Sequence, residues 1–131
     1  IDESYNASPI TMKNCINYFE NFFVEKNQRK ILILGEMNEL GKFSFDYHKE
    51  IVDCLLNTSI NKVIYCGNLY KKILNNLNYN PEKILHLSNE LKIIQFLENT
   101  THNNDIILAK GSNSTKINIL VKKLLKIKKV N

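Results

Sequence analysis

Lys30-Ile31-Leu32-Ile33-Leu34-Gly35 is the stretch that decides the fold. Its apolar run has no polar alternation and closes on a glycine, the pattern of a strand covered on both faces. Working outward, Lys62-Val63-Ile64-Tyr65-Cys66 repeats the pattern and stops at Gly67. Lys83-Ile84-Leu85-His86 is a shorter version, and Asp105-Ile106-Ile107-Leu108-Ala109 is the last. Ile1-Asp2-Glu3 supplies a further, truncated strand. Between the runs lie helical periods. Ser8-Pro9 reads as an N-cap followed by proline at the first helical position. Ile10, Cys15, Ile16, Phe19, Phe22 and Phe23 then make an amphipathic helix to about residue 24. A second helix is expected from Ser44 to Asn57 and a third from Asn68 to Leu77. A fourth is capped by Ser88 and carries Leu91, Ile94, Phe96 and Leu97, and a fifth closes the chain. Strands and helices alternating at this spacing imply βαβ units, so the expectation is an α/β, doubly wound, mostly parallel, Rossmann-like sheet flanked by helices.

The chain has 131 residues, 44% hydrophobic and 24% charged, which suits one domain with one continuous core. It opens on Ile1 rather than Met, and we read it as a fragment, residues 1–131 of a single domain, with a disordered tail from about 127 to 131. Lys and Arg number 18 against 13 Asp and Glu, a net charge of +5. Much of that surplus sits in Lys122, Lys123, Lys126, Lys128 and Lys129, interleaved with Leu120, Val121, Leu124, Leu125 and Ile127. Lysines in the last turns of a helix complement its macrodipole. No aromatics are interleaved there for base stacking, so the reading is a solvated face with no nucleic-acid partner. Cys15, Cys54 and Cys66 are odd in number and widely spaced, which excludes a CxxC metal motif and a disulfide framework. They are expected to be buried free thiols in a reducing cytoplasm. No apolar run approaches membrane-spanning length.

Ligands in doubly wound folds collect beyond the carboxyl ends of the strands. Three segments fall there. Asp2-Glu3-Ser4-Tyr5-Asn6-Ala7-Ser8-Pro9 places carboxylates, an aromatic and an amide ahead of a helix N-terminus. Such groups can take ribose hydroxyls, a base face and a base edge; a capped helix start with solvated acids is the other reading. Leu34-Gly35-Glu36-Met37-Asn38-Glu39-Leu40-Gly41 is an acidic turn bracketed by glycines, with His48 following. His48 is either a partly buried or exposed helical residue or a proton partner. Lys110-Gly111-Ser112 offers a cation, a permissive backbone and a hydroxyl, either a clasp for carboxylate or phosphate or a solvated turn. No GxGxxG fingerprint and no GxxxxGK[ST] loop occurs in the chain. Any nucleotide site would therefore be shared with another domain. A receiver- or flavodoxin-like binding module is the alternative, although Gly35 and Gly67, rather than an aspartate, end the middle strands.

In order and spacing these segments resemble the C-terminal domain of the Mur ligases, and among them the MurF type, which joins D-Ala-D-Ala to UDP-MurNAc-tripeptide. That type opens with two acidic residues followed by Ser/Thr-Tyr-Asn-Ala-Asn-Pro and a Ser-Met pair. Here the segment is Asp2 to Pro9, then Thr11-Met12. Its Leu-Gly-Asp-Met-x-Glu-Leu-Gly loop and later His match Leu34 to Gly41 and His48, with Glu36 in place of Asp. Its Lys-Gly-Ser-Arg segment matches Lys110, Gly111 and Ser112, with Asn113 in place of Arg, which removes a bidentate carboxylate partner. Ser8 likewise replaces the second asparagine.

The resemblance covers essentially the whole chain. It implies the lid of an ATP-dependent peptide ligase working through an acyl phosphate, with the domain inactive alone. It implies nucleotide contacts at Asp2, Tyr5, Asn6 and Pro9, and substrate contacts at Lys110, Gly111 and Ser112. His48 would lie near the amine substrate. ATP and Mg would be held mainly by a central domain, and an N-terminal domain would take the UDP portion. The parent is expected to be a cytoplasmic monomer.

Overall fold

The computed structural model describes residues 1–3 and 7–130, with side chains described at Ile1 and from 7 to 126. Five strands, β1 (Asp2–Glu3), β2 (Lys30–Gly35), β3 (Lys62–Cys66), β4 (Ile84–His86) and β5 (Ile106–Lys110), form one sheet in the order β1-β5-β2-β3-β4. Every neighbouring pair is parallel. The helices are α1 (Pro9–Asn21), α2 (Ser44–Leu55), α3 (Asn68–Leu74), α4 (Glu90–Thr100) and α5 (Ile117–Val130).

Alternation along the central strands divides the core into two layers. Leu32 and Leu34 of β2, with Val63 and Tyr65 of β3, face Phe19 of α1, Ile51 of α2 and Ile73 of α3. Ile31, Ile33 and Ile64 point the other way, onto Ile93 and Leu97 of α4 and Ile117 and Leu120 of α5. Each fully buried side chain of this size contributes about 1.5–3 kcal/mol, so a strand with two apolar faces is stable only inside such a sandwich. Handedness explains the layering. From β1 through β2 and β3 to β4 the chain steps one way across the sheet, with α1 to α3 on one face. The return from β4 to β5 crosses back, and a right-handed crossover then requires α4 on the opposite face. The doubly wound, parallel architecture is as the sequence implies.

Local signals mostly act where they stand. Ser8 caps α1, its Oγ accepting the Thr11 N–H at 3.2 Å while Thr11 Oγ1 accepts the Ser8 N–H at 2.9 Å. The expectation of Ser88 as the cap of α4 is corrected: Asn89 is the N-cap, its Oδ1 accepting from Lys92 N–H at 3.0 Å. Asn and Ser cap comparably, and along the helix so started Ile93 and Leu97 face the sheet. As a result Leu91 is exposed, as are Ile10 and Phe23 near the ends of α1. Cys15 and Cys66 are buried, but Cys54 is exposed, contrary to expectation, because Ile51, Val52 and Leu55 take the core side of α2. The expected tail falls on residues whose side chains or placement lie outside the described ones. Among the described residues no helix is long and apolar enough to cross a membrane.

Candidate functional site at the carboxyl edge of the sheet

Helices on opposite faces follow β2 and β5, which lie side by side. Their outgoing loops therefore diverge at a switch point, where a doubly wound sheet opens to ligands. The β2 loop runs from Glu36 to a 3-10 turn at Gly41–Phe43, and the β5 loop passes through Gly111 and Ser112 to a second 3-10 turn at Asn113–Thr115. β1 lies on the far side of β5, with Glu3 in register with Lys110. All three sequence segments thus reach one edge.

Two of them are locked together atom by atom. The Ser112 N–H donates to the Glu36 carbonyl at 3.0 Å, and Ser112 Oγ accepts the Asn38 N–H at 2.8 Å. Asn38 Nδ2 also bonds Ser114 Oγ. Gly111 makes this closeness possible. A Cβ there would fall 2.8 Å from Thr115 Oγ1 and 2.9 Å from the Cα of Gly35, closer than real contacts allow. Thr115 Oγ1 in turn donates to the Ser112 carbonyl at 2.6 Å. Lys110 and Ser112 are both buried.

A third tie comes from Glu36, whose Oε1 accepts the Leu69 N–H at 2.6 Å, at the start of α3. Gly67 precedes that helix at φ 129°, in a region that side chains rarely enter, and the Glu36 carboxylate fills the space where its Cβ would go. On the next strand, His86 Nε2 lies 2.8 Å from the Gly67 carbonyl. Among the described residues, two other than glycine hold left-handed backbone, both at this edge: Glu39 at φ 61° and Lys116 at φ 59°. Such conformations persist where surrounding contacts over-determine them, and they gather at functional sites.

His48 is fully buried, where a partly buried or exposed position was expected. Nδ1 is 2.6 Å from the Ser44 carbonyl, and Nε2 accepts the Met37 N–H at 2.9 Å. Burial lowers its pKa below the ordinary 6.5, against the raising effects of the Ser44 carbonyl and the Glu36 charge. The Tyr70 ring meets it edge-on, centroids 5.0 Å apart.

Tyr5 and Asn6 lie outside the described residues, as does the side chain of Asp2, whose backbone is in β1. Pro9 occupies the first position of α1. The sequence reading missed the anchoring roles of Glu36, Gly67 and Thr115; the hydroxyls clustered at Ser112, Ser114 and Thr115 were the visible signal for the last. Among the described residues no group of three or more His, Cys, Asp or Glu is placed to hold a metal ion. The alternative receiver-like reading lacks its acceptor aspartate, since β2 ends on Gly35 and β3 on Cys66.

The family "Mur ligase, glutamate ligase domain" matches residues 1–113. The chain belongs to the Mur ligases. It is 34% identical over 128 residues to the UDP-N-acetylmuramoyl-tripeptide–D-alanyl-D-alanine ligase of Buchnera aphidicola subsp. Baizongia pistaciae, covering 96% of this chain and 26% of that protein. The Bacillus subtilis enzyme of the same name is 30% identical over 127 residues, covering 95% and 27%. This chain therefore spans about a quarter of the length of these curated relatives. Among solved structures, a MurF ligase from Thermotoga maritima in complex with ADP superposes with a TM-score of 0.71 at 24% identity, covering 91% of this chain and 26% of that one. A MurF from Acinetobacter baumannii reaches 0.78 at 23% identity, covering 94% and 27%. At these identities the structural likeness is one of fold.

Proposed function

We propose that this chain is the C-terminal lid of a MurF-type ligase, which joins D-Ala-D-Ala to UDP-MurNAc-tripeptide through an acyl phosphate during peptidoglycan precursor synthesis. The observation that carries the reading is the convergence of the three family segments on one sheet edge. Glu3 lies beside Lys110, and Ser112 is bonded to the loop of Glu36 to Asn38. Asp2, Tyr5, Asn6 and Pro9 would cover the nucleoside of ATP. Lys110, Gly111 and Ser112 would hold the dipeptide or the ATP tail. The chain has no phosphate loop, so the triphosphate and Mg would rest on a central domain, and the lid alone would not catalyse. Its own central and N-terminal domains are then its partners, in a cytoplasmic, monomeric enzyme.

A lid contributes by excluding water from a hydrolysable acyl phosphate and by aligning the amine. Alignment of this kind can remove about 7–11 kcal/mol of barrier, so a domain without a nucleophile can still govern the rate. Lys110→Ala in the full-length ligase is expected to raise KM for D-Ala-D-Ala or lower kcat, by roughly 10–100-fold. Steady-state kinetics at a temperature where thermal melts show the variant folded would check it. Unchanged constants would remove Lys110 from the site.

A further inference from the structure

We propose that His48 is a positioning residue for this ligase, a neutral imidazole that holds the rim loop through the Met37 N–H and so aims the Ser112 hydroxyl. The inference rests on the ligase reading above and concerns how its site is kept in shape.

The tautomer follows from the partners. The Ser44 carbonyl can only accept, so Nδ1, 2.6 Å away, carries the proton. The Met37 N–H can only donate, so Nε2, 2.9 Å away, is bare. One protonation state satisfies both. The three residues after β2 are fixed in succession: the Glu36 carbonyl by the Ser112 N–H, the Met37 N–H by His48, and the Asn38 N–H by Ser112 Oγ. Two of these partners are Ser112 itself. The third is His48, on a different element, and it sets the loop against α2 while Ser112 sets it against β5. Met37 is buried, which leaves its N–H no solvent partner if His48 withdraws.

A proton on Nε2 would turn two donors against each other. The groups around the ring are Ser44 on α2, with Oγ 3.5 Å from Nδ1, the Tyr70 ring on α3, and the Glu36 carboxylate from the β2 loop. Glu36 favours the cation; burial opposes it more strongly, so protonation in the folded chain waits for pH below the ordinary 6.5. Acid should then loosen residues 36–41 without unfolding the sheet.

The test uses the full-length ligase, comparing wild type, His48→Leu and His48→Gln. The Gln carboxamide oxygen can still accept the Met37 N–H. Amide hydrogen exchange over residues 36–41, corrected for intrinsic rate and read by mass spectrometry, is expected to accelerate at least about tenfold in H48L and to recover in H48Q. KM for the substrate that Ser112 holds, D-Ala-D-Ala or ATP, should rise about 10–100-fold in H48L with the other KM unchanged, and H48Q should restore most of it. Wild type should lose protection over the same residues as pH falls below 6.5. Unchanged exchange in H48L, equal movement of all KM values, or an H48Q no better than H48L would overturn the proposal. If H48L does not fold, the wild-type pH series decides, and protection that persists until global unfolding counts against it. A full-length chain inert as a ligase but with His48-dependent protection would overturn the ligase reading and leave the Met37 tether standing.

Discussion

The two ends of the sheet are held by different means. At the amino end, an open depression of about 700 Å³ is lined by residues including Arg29, Asn61, Lys62, Asn80, Glu82 and Lys83. Its size and charge invite a binding reading, but its cations are already committed. Arg29 grips Asp105 through two bonds, Nε to Oδ1 at 2.9 Å and Nη2 to Oδ2 at 2.6 Å, and also donates to the Thr100 carbonyl. Lys83 Nζ donates to the Thr58 carbonyl, and Lys62 lies over the Phe96 ring. At the carboxyl end the backbone itself is over-determined: Gly67, left-handed Glu39 and Lys116, and the ties through His48, Glu36 and Ser112. The amino end closes the fold with side-chain charge. The carboxyl end shapes a rim with backbone geometry, and that is where the family segments meet.

The sharpest way to break this contrast is Gly67→Ala. The methyl group would sit at φ 129° and run into the Glu36 carboxylate, so backbone strain and overpacking act together, at about 3–5 kcal/mol. Denaturant unfolding would read it, and a loss under 1 kcal/mol would mean the rim is less tightly defined than its contacts imply.

Next is the amino end. Arg29→Met should cost roughly 1–3 kcal/mol, the lower part of that range reflecting the partial exposure of Arg29, which solvent screens. The variant should also change the acid limb of stability. Burial alone would raise the Asp105 pKa, but the Arg29 guanidinium and the His102 N–H outweigh it and hold the carboxyl below 3.8. A depressed carboxyl contributes stability above 3.8 and loses it as pH falls through the lower folded value. Melts from pH 5 to 2 should therefore be flatter in R29M than in wild type, and equal slopes would refute the role given to the pair. His48 works in a different window. Its unfolded form takes a proton near 6.5 that the folded form refuses, so its share of stability is lost from 6.5 downward. The two ends thus differ in acid response as well as in build.

The smallest effect is expected at Glu39→Gly. Glycine keeps the left-handed backbone without the Cβ clash, which relieves about 1–2 kcal/mol, while the freer unfolded chain takes back about 0.5–1, for a net gain of about 0.5 kcal/mol. A thermal melt would show it, and a destabilised E39G variant would mean that the Glu39 side chain itself holds the loop.

The sequence by itself determined the alternation of buried strands and helices, the cap at Ser8 and the family segments. These depend on residues within a turn or a pleat of one another, so periodicity and local hydrogen bonding suffice. It put the cap of α4 at Ser88, where Asn89 holds it, and counted Leu91 in the apolar stripe, although only packing against the sheet shows which residues of α4 are buried. It placed Cys54 among buried thiols, where only the packing of α2 shows the face it occupies. It offered His48 as a partly buried or exposed helical residue or a proton partner, and tertiary structure made it a fully buried acceptor for an amide eleven residues away in sequence. Above all, the order β1-β5-β2-β3-β4 was decided in three dimensions. It brings strands more than a hundred residues apart into register, and with them Glu3 to Lys110. No local pattern encodes that pairing; it follows from handed crossovers and from burying both faces of one sheet.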